Sequence, residues 1–274
     1  MSIFITGARG FVGSNFTRFL DKTNNDYIKF DGDITEKKDF DKYLEKGIDA
    51  IVHIAAKTNI RDKDLMKRVN IDGTKNVLEF AQKKNVKKII HLSTIKVLSK
   101  NSDPYINSKK EAEILIKQFG IPYIVLRPSM IYGPGDKKNI GFLMNVLKNA
   151  PVVPVFKFRL QPLYIDDLIN IMNQSLGVEP NKEYNIAGKE EINFKEVLFV
   201  CKELGYKFRM INWPIFFNLL LKMVSILPFS PLPHWQVKSL LTDEVFESDD
   251  WENIFNIKLT NFKNGIKKTI GNNL

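Results

Sequence analysis

Residues 3–16 read IFITGARGFVGSNF, a short β-branched run that passes into three glycines at three-residue spacing and then into an apolar helical pattern. Glycine at Gly7, Gly10 and Gly13 permits a tight turn, a close approach of backbone to a pyrophosphate, and close packing of helix on strand. The opening turn of the helix offers N–H donors that have no partner within the helix. The spacing therefore predicts a strand–turn–helix unit built to hold a dinucleotide.

The rhythm continues downstream. Ile3–Thr6, Tyr27–Phe30, Ala50–Ile54, Lys88–Leu92 and Tyr123–Leu126 read as strands, and residues 11–22, 35–46, 63–84 and 105–119 read as helices. This alternation implies an α/β chain, a Rossmann-type doubly wound parallel sheet that binds ligands at the carboxyl ends of its strands. After Tyr132 the pattern is broken by Gly133, Pro134, Gly135, Pro151 and Pro154. We therefore expect a dinucleotide-binding domain over residues 1–158 and a mainly substrate-binding, smaller C-terminal region over 159–274.

With 274 residues and 44% apolar content, the chain can bury a sizeable core. The single cysteine, Cys201, excludes an internal disulfide framework and fits a reducing compartment. The opening MSIFITG shows no basic region followed by an apolar leader, so a cytoplasmic location is expected. The net charge of +10 raises nucleic acid or an anionic membrane as partners. The lysines, however, come in scattered pairs such as Lys37-Lys38, Lys83-Lys84 and Lys267-Lys268, with no aromatic interleaving; a solvated surface is expected, and nucleic acid is not. His91 and His234 lack carboxylate or cysteine neighbours, so no metal site is expected. His53, inside an apolar run, reads as a core histidine with its hydrogen bonds satisfied.

The segment PIFFNLLLKMVSILPFSPLP needs separate treatment. Only thirteen residues, Ile215 to Leu227, lie between its first two prolines, about 20 Å of helix and too short to span a bilayer. Asn218, Lys222 and Ser225 form one narrow polar stripe. Burial in the smaller region is the expectation; a subunit contact or a peripheral membrane contact are the alternatives.

The chemistry-bearing stretch begins PYINSKKEAE at residue 104. Its apolar stripe, Ala112, Leu115, Ile116 and Phe119, runs back through Tyr105 and Lys109. A lysine on a body-facing stripe is costly and is usually retained for a partner or a task. Asp31, which ends the second strand, can accept from both hydroxyls of an adenosine ribose and repel a 2′-phosphate, which favours NAD. Arg9 and Lys29 offer a 2′-phosphate partners, which keeps NADP open. Asp33 is placed to take an adenine amino group.

These residues sit within a longer ordered series: TGARGFVG at 6–13, GDIT at 32–35, VHIAA at 52–56, VNIDGTKNVLEFA at 69–81, HLST at 91–94, Tyr105 with Lys109, LRPSMIYGPGD at 126–136, QPLYIDDL at 161–168 and YNIAGKEEI at 184–192. The series resembles the extended short-chain dehydrogenase/reductases of the NAD-dependent epimerase/dehydratase family. The resemblance implies that Tyr105 is the general acid/base, that Lys109 lowers its pKa and binds the nicotinamide ribose, that Thr94 hydrogen-bonds the reacting oxygen, and that Asn70 acts through a water. A phenol that ionises near pH 10 needs a neighbouring cation to exchange protons near neutrality.

By the same resemblance Gly7, Arg9, Gly10, Phe11, Val12, Gly13, Asp31, Asp33, Ile34, Ala55, Ala56, Lys109, Pro128 and Ser129 contact the cofactor. The implied function is an NAD(P)-dependent oxidoreductase or epimerase acting on a nucleotide-linked sugar, in a homodimer formed through the helices at 63–84 and 105–119.

Four departures qualify the likeness. No helix and strand separate Asp31 from Asp33, so the sheet is expected to lack an edge strand. Only ten residues separate Thr94 from Tyr105, which implies a shorter substrate-side loop. Thr94 is followed by Ile95 and Lys96 where dehydratases carry an Asp-Glu pair, which argues against elimination of water. Leu160 occupies a position where sugar-nucleotide epimerases carry an arginine, with Arg159 beside it. The QPLYIDDL wording and the apolar C-terminal region also resemble the short-chain-dehydrogenase-like accessory subunit of respiratory complex I, which implies an alternative: a non-catalytic or weakly catalytic cofactor-holding scaffold.

Overall fold

The computed structural model describes residues 1–58, 62–100, 103–212, 225 and 243–271. Apart from Ser225, the apolar segment Ile215 to Leu227 lies outside the described residues. The chain divides into two compact units assembled from alternating stretches: 1–129 with 165–186 and 248–258, and 130–164 with 187–247 and 259–274.

The first unit carries the sheet. Its elements are β1 (Ile3–Thr6), α1 (Phe11–Lys22), β2 (Tyr27–Lys29), β3 (Ala50–His53), α2 (Lys63–Lys67), a π-helical turn (Arg68–Asp72), α3 (Gly73–Lys83), β4 (Lys88–Leu92), α4 (Pro104–Gln118) and β5 (Tyr123–Pro128). The second unit supplies β6 (Ile131–Tyr132), α5 (Ile140–Leu147), β7 (Val152–Val155), β8 (Arg159–Leu160) and β9 (Leu163–Tyr164). Then α6 (Ile165–Gln174) and β10 (Lys182–Ile186) return to the first unit. The second resumes with β11 (Ile192–Asn193), α7 (Phe194–Glu203) and β12 (Arg209–Asn212). Two more helices follow, α8 (Trp251–Ile254) in the first unit and α9 (Phe262–Gly271) in the second.

Six parallel strands form the sheet in the order β10-β5-β4-β3-β1-β2. Every residue of β1 and β3 is buried, the pattern of strands covered on both faces. Helix α1 turns Val12, Phe16 and Leu20, spaced four apart, into the core. Strand β2 is the edge, as the missing helix and strand between Asp31 and Asp33 lead one to expect. On one face Phe4, Phe30, Phe40, Tyr43 and Phe80 interlock with ring centroids 4.5–5.8 Å apart. Phe4, fully buried at their centre, is the test of this packing. Phe4→Ala is expected to cost about 3–5 kcal/mol in urea unfolding.

Three elements differ from the sequence reading. Residues 35–46 form only a run of tight turns over Lys37–Tyr43, because side chains compete for the backbone. Asp33 Oδ1 accepts from the Thr35 N–H at 2.9 Å, and Asp39 Oδ2 accepts from the Asp33 N–H at 2.7 Å. The helix expected over 63–84 is divided by the π-helical turn around Asn70. Strand β10 was hidden because KEYNI lies in the part of the chain where the alternating pattern has already loosened.

The second unit consists of short pairings: β6 with β9 and β7 with β12, both parallel, and β8 with β11, antiparallel. Rings of Tyr132, Tyr164 and Phe262 pack 5.3–5.5 Å apart there. Helix α7 opens on a capping box in which Asn193 Oδ1 accepts from the Glu196 N–H at 2.9 Å and Glu196 Oε2 from the Asn193 N–H at 2.7 Å.

Candidate active site

Gly7 adopts φ +73°, and a Cβ there would lie 2.6 Å from the Ala55 nitrogen; one on Gly13 would lie 2.2 Å from the Gly7 carbonyl oxygen. Both positions therefore require glycine for the turn itself. At Gly10 an added Cβ would sit 3.3 Å from the Gly7 carbonyl oxygen, a tight contact that the bare backbone avoids. Gly10 caps α1 without a side-chain bond, and the first turn holds no acidic residue. The N–H groups of Phe11, Val12 and Gly13 thus remain available to an anion at the positive end of the helix. This cradle fits a dinucleotide pyrophosphate.

At the rim, Arg9 Nη2 donates to Asp31 Oδ1 at 2.5 Å, both side chains being exposed. The two groups from which NADP and NAD preference were argued hold each other. Asp33 Oδ1 also accepts from the Thr35 hydroxyl at 2.8 Å. The Ile34 side chain is buried in the core, where an added Cβ on Gly73 would meet it at 2.7 Å. Ala55, half-buried, lies directly against Gly7, and Ala56 is exposed beside it. Pro128 is buried at the end of β5, and the Ser129 N–H donates to the Ile186 carbonyl at 2.8 Å.

Helix α4 is fixed at its start by Asp103, whose Oδ1 accepts from the Ile106 N–H at 2.7 Å, and by Pro104 in its first turn. One turn on, Lys109 is 2% exposed. Its Nζ donates to the Leu92 carbonyl at 2.7 Å and to His91 Nε2 at 3.2 Å. Burial lowers its pKa to about 8, with the Glu113 carboxylate acting in the opposite direction. Tyr105 is partly exposed. Burial of its hydroxyl, reinforced by the Asp103 carboxylate, pushes its pKa up to about 12. That is opposite to the lowering implied by the resemblance: burial and the Asp103 carboxylate both disfavour the phenolate.

Asn70 is buried in the π-helical turn, a local widening common at functional positions. Its Oδ1 accepts from the Lys57 N–H at 2.7 Å, while Nδ2 donates to the Lys57 carbonyl at 3.0 Å and to Ser108 Oγ at 2.9 Å. Thr94, buried just past β4, accepts from the Lys96 N–H at 3.4 Å. The structure thus brings Tyr105, Lys109, Thr94 and Asn70 into one unit, on α4, the end of β4 and the turn before α3.

Behind this front the sequence reading of His53 as a satisfied core histidine holds, while its partners Thr6 and Thr74 and the Glu113–Arg127 pair were missed. His53 is a buried histidine, held neutral by burial with its pKa lowered to about 3. Its Nδ1 lies 2.7 Å from Thr6 Oγ1 and its Nε2 2.9 Å from Thr74 Oγ1, and the Thr74 hydroxyl donates to the Asn70 carbonyl at 2.7 Å. Glu113, four residues beyond Lys109 on the same stripe, accepts from Ser93 Oγ at 2.5 Å and from Arg127 Nη2 at 2.6 Å. Arg127 also reaches Glu183 at 3.3 Å. The signal was the four-residue spacing from Lys109. Removing one member of a buried ion pair strands the other, so Glu113→Ala is expected to lower stability by about 3–5 kcal/mol, with partial recovery when Arg127→Leu is added, measured by urea unfolding.

In the second unit Leu160 is buried, and Arg159 is held by Asp243 at 3.0 Å and Glu191 at 3.0 Å. Arg159 is therefore already neutralised by two carboxylates.

The NAD-dependent epimerase/dehydratase family model matches residues 3–187. The UDP-glucose 4-epimerase of Vibrio cholerae is 31% identical over 194 residues, 56% of this chain and 58% of that enzyme. The chain thus spans under two thirds of that relative's length. An Escherichia coli O157:H7 N-acetyl-α-D-glucosaminyl-diphospho-ditrans,octacis-undecaprenol 4-epimerase is 26% identical over 236 residues, covering 72% of this chain and 70% of its own. Among solved structures, the Thermotoga maritima UDP-glucose 4-epimerase crystallised with UDP-glucose superposes with TM-score 0.82 at 18% identity, covering 99% of this chain and 98% of that one. With the glycine cradle and the match over 3–187, the chain belongs to the NAD-dependent epimerase/dehydratase family.

Proposed function

We propose that the chain is an NAD(P)-dependent oxidoreductase or epimerase acting on a nucleotide-linked sugar, with Tyr105 as general acid/base. The observation that carries this reading is Lys109, an ammonium 2% exposed in the core one helical turn after Tyr105. A merely structural helix has no use for a cation at that depth, and its burial is unfavourable.

The nicotinamide, when bound, takes or gives the hydride at a sugar carbinol or ketone. The phenol of Tyr105 exchanges the proton of the sugar oxygen, and the Thr94 hydroxyl hydrogen-bonds that oxygen. Lys109 has three N–H donors, and two are engaged by Leu92 and His91; the third is left for the ligand. Its positive charge favours phenolate over phenol. Ile95, buried beside Thr94, offers no acid for the elimination of water.

A scaffold that holds the nucleotide without turnover is the second reading, favoured by the direction in which the chain's own groups push Tyr105. A panel of UDP-, dTDP- and polyprenyl-diphosphate-linked sugars, assayed with NAD and NADP in both oxidation states, separates the two. Conversion of a sugar nucleotide supports the enzyme; cofactor binding with no conversion of any member supports the scaffold.

A further inference from the structure

The geometry points to His91 as a positioning residue for Lys109: a neutral imidazole with a bare Nε2 and a protonated Nδ1, which together with the Leu92 carbonyl fixes where the ammonium's remaining N–H is aimed. His91 is 1% exposed on β4, and its Nε2 lies 3.2 Å from Lys109 Nζ. An ammonium has three donors and no acceptor, so the shared proton belongs to Lys109 and Nε2 accepts it. The one proton of the neutral ring is then on Nδ1, and this atom is buried without a hydrogen-bond partner among the described residues. A buried donor left unpaired is costly and rare. An aliphatic side chain would fill the same strand position without that cost. The imidazole is retained for what its other nitrogen does.

The surroundings hold the ring in this form. Burial, the Lys109 ammonium and His53 all oppose protonation of His91, whose pKa lies well below the ordinary value. His53 stands beside it in register on β3, with ring centroids 5.1 Å apart. The two rings are opposite tautomers, because the Thr74 hydroxyl gives its proton to Asn70 and so takes one from His53 Nε2. The charged and titratable groups around Lys109 are Tyr105 and Glu113 on its own helix, His91 on β4 and His53 on β3; Glu113 is paired in turn with Arg127 of β5. Among the described residues only His91 and the Leu92 carbonyl, 2.7 Å away, accept hydrogen bonds from the ammonium. With those two N–H bonds and the Cε–Nζ bond fixed, a tetrahedral nitrogen has one direction left for its third N–H. The assignment rests on the reading of Lys109 as a ligand-facing cation, whereas its test needs no turnover.

Nitrogen NMR of histidine-labelled wild-type protein reads the tautomer directly. The chain has three histidines, and His91→Gln identifies the signals of residue 91. At pH 7 a bare Nε2 and a protonated Nδ1 are expected, with an Nε2 shift that follows Lys109 as it loses its proton near pH 8. His91→Leu removes the acceptor. The proton affinity of Lys109, read from its labelled side-chain carbon, should then fall about tenfold or more, and NAD affinity at pH 7 should fall about tenfold. Glutamine can place an amide oxygen near the position of Nε2, so His91→Gln should recover most of both. Circular dichroism monitors the fold. A protonated Nε2 in wild type at pH 7 overturns the assignment. So does an unchanged Lys109 pKa or an unchanged NAD affinity in folded His91→Leu, or a folded His91→Gln that behaves like the leucine variant. If these effects are found but no sugar nucleotide is converted, the assignment stands and only the proposed enzymatic function falls.

Discussion

Tyr105→Phe is expected to slow conversion of a sugar nucleotide by about 10²–10⁴-fold, the usual worth of a positioned proton-transfer group. Cofactor affinity should be unchanged, since the hydroxyl has no hydrogen bond among the described residues and the ring stays in place. The pH profile sharpens the test. The phenol is pushed up to about 12 by its surroundings, so in the direction of alcohol oxidation the wild-type rate should climb with pH as the phenolate becomes accessible. Stopped-flow measurement of nicotinamide absorbance in wild type and variant reads both effects. A Tyr105→Phe enzyme with full activity and the same pH limb removes this residue from the mechanism.

Lys109→Met is expected to separate function from stability. Turnover should fall by about 10²-fold or more, because the N–H donor that Lys109 keeps for the ligand is gone. Stability should change in the opposite sense below neutrality. In the unfolded chain this lysine keeps its proton up to 10.5, and in the folded chain only up to about 8, chiefly through burial. Below pH 8 both states are charged and the burial cost is fully present. Between 8 and 10.5 the unfolded state binds more protons, so wild-type stability rises with pH. Methionine has no proton to lose. The advantage of Lys109→Met over wild type is therefore greatest below about pH 8 and shrinks by on the order of 3 kcal/mol by pH 10.5. Urea unfolding at intervals across that window checks the sign; a constant difference would mean that Lys109 does not titrate there.

Much of the first unit was legible because its signals are local. The glycine spacing, the β-branched runs of β1, β3 and β4, and the stripe on α4 each follow from steric or burial rules within one element. Where competing local bonds exist the reading failed, as at Asp33 and Asp39, whose carboxylates divert the backbone from a helix into turns. Strand β10 and the alternation of the two units depend on long-range pairing, Lys182 against Ile124 for instance, that no short pattern announces. At the site, residue types were readable but directions were not. Lys109 was correctly placed on a buried face, yet its acceptors, Leu92 and His91, come from a strand far back in the chain.

The hydroxyl series through Thr6, His53, Thr74, Asn70 and Ser108 ends at the Tyr105 carbonyl, 2.8 Å from Ser108 Oγ. Because Thr74 gives its only proton to Asn70, it must receive one from His53 Nε2, and His53 Nδ1 must then receive one from Thr6. The imidazole is thereby locked in a single tautomer, and none of these links can reverse polarity alone. The strand that carries Thr6 and the turn that carries Asn70 are thus keyed to each other through one ring like a latch with one closed position, and loss of either threonine hydroxyl releases the His53 tautomer.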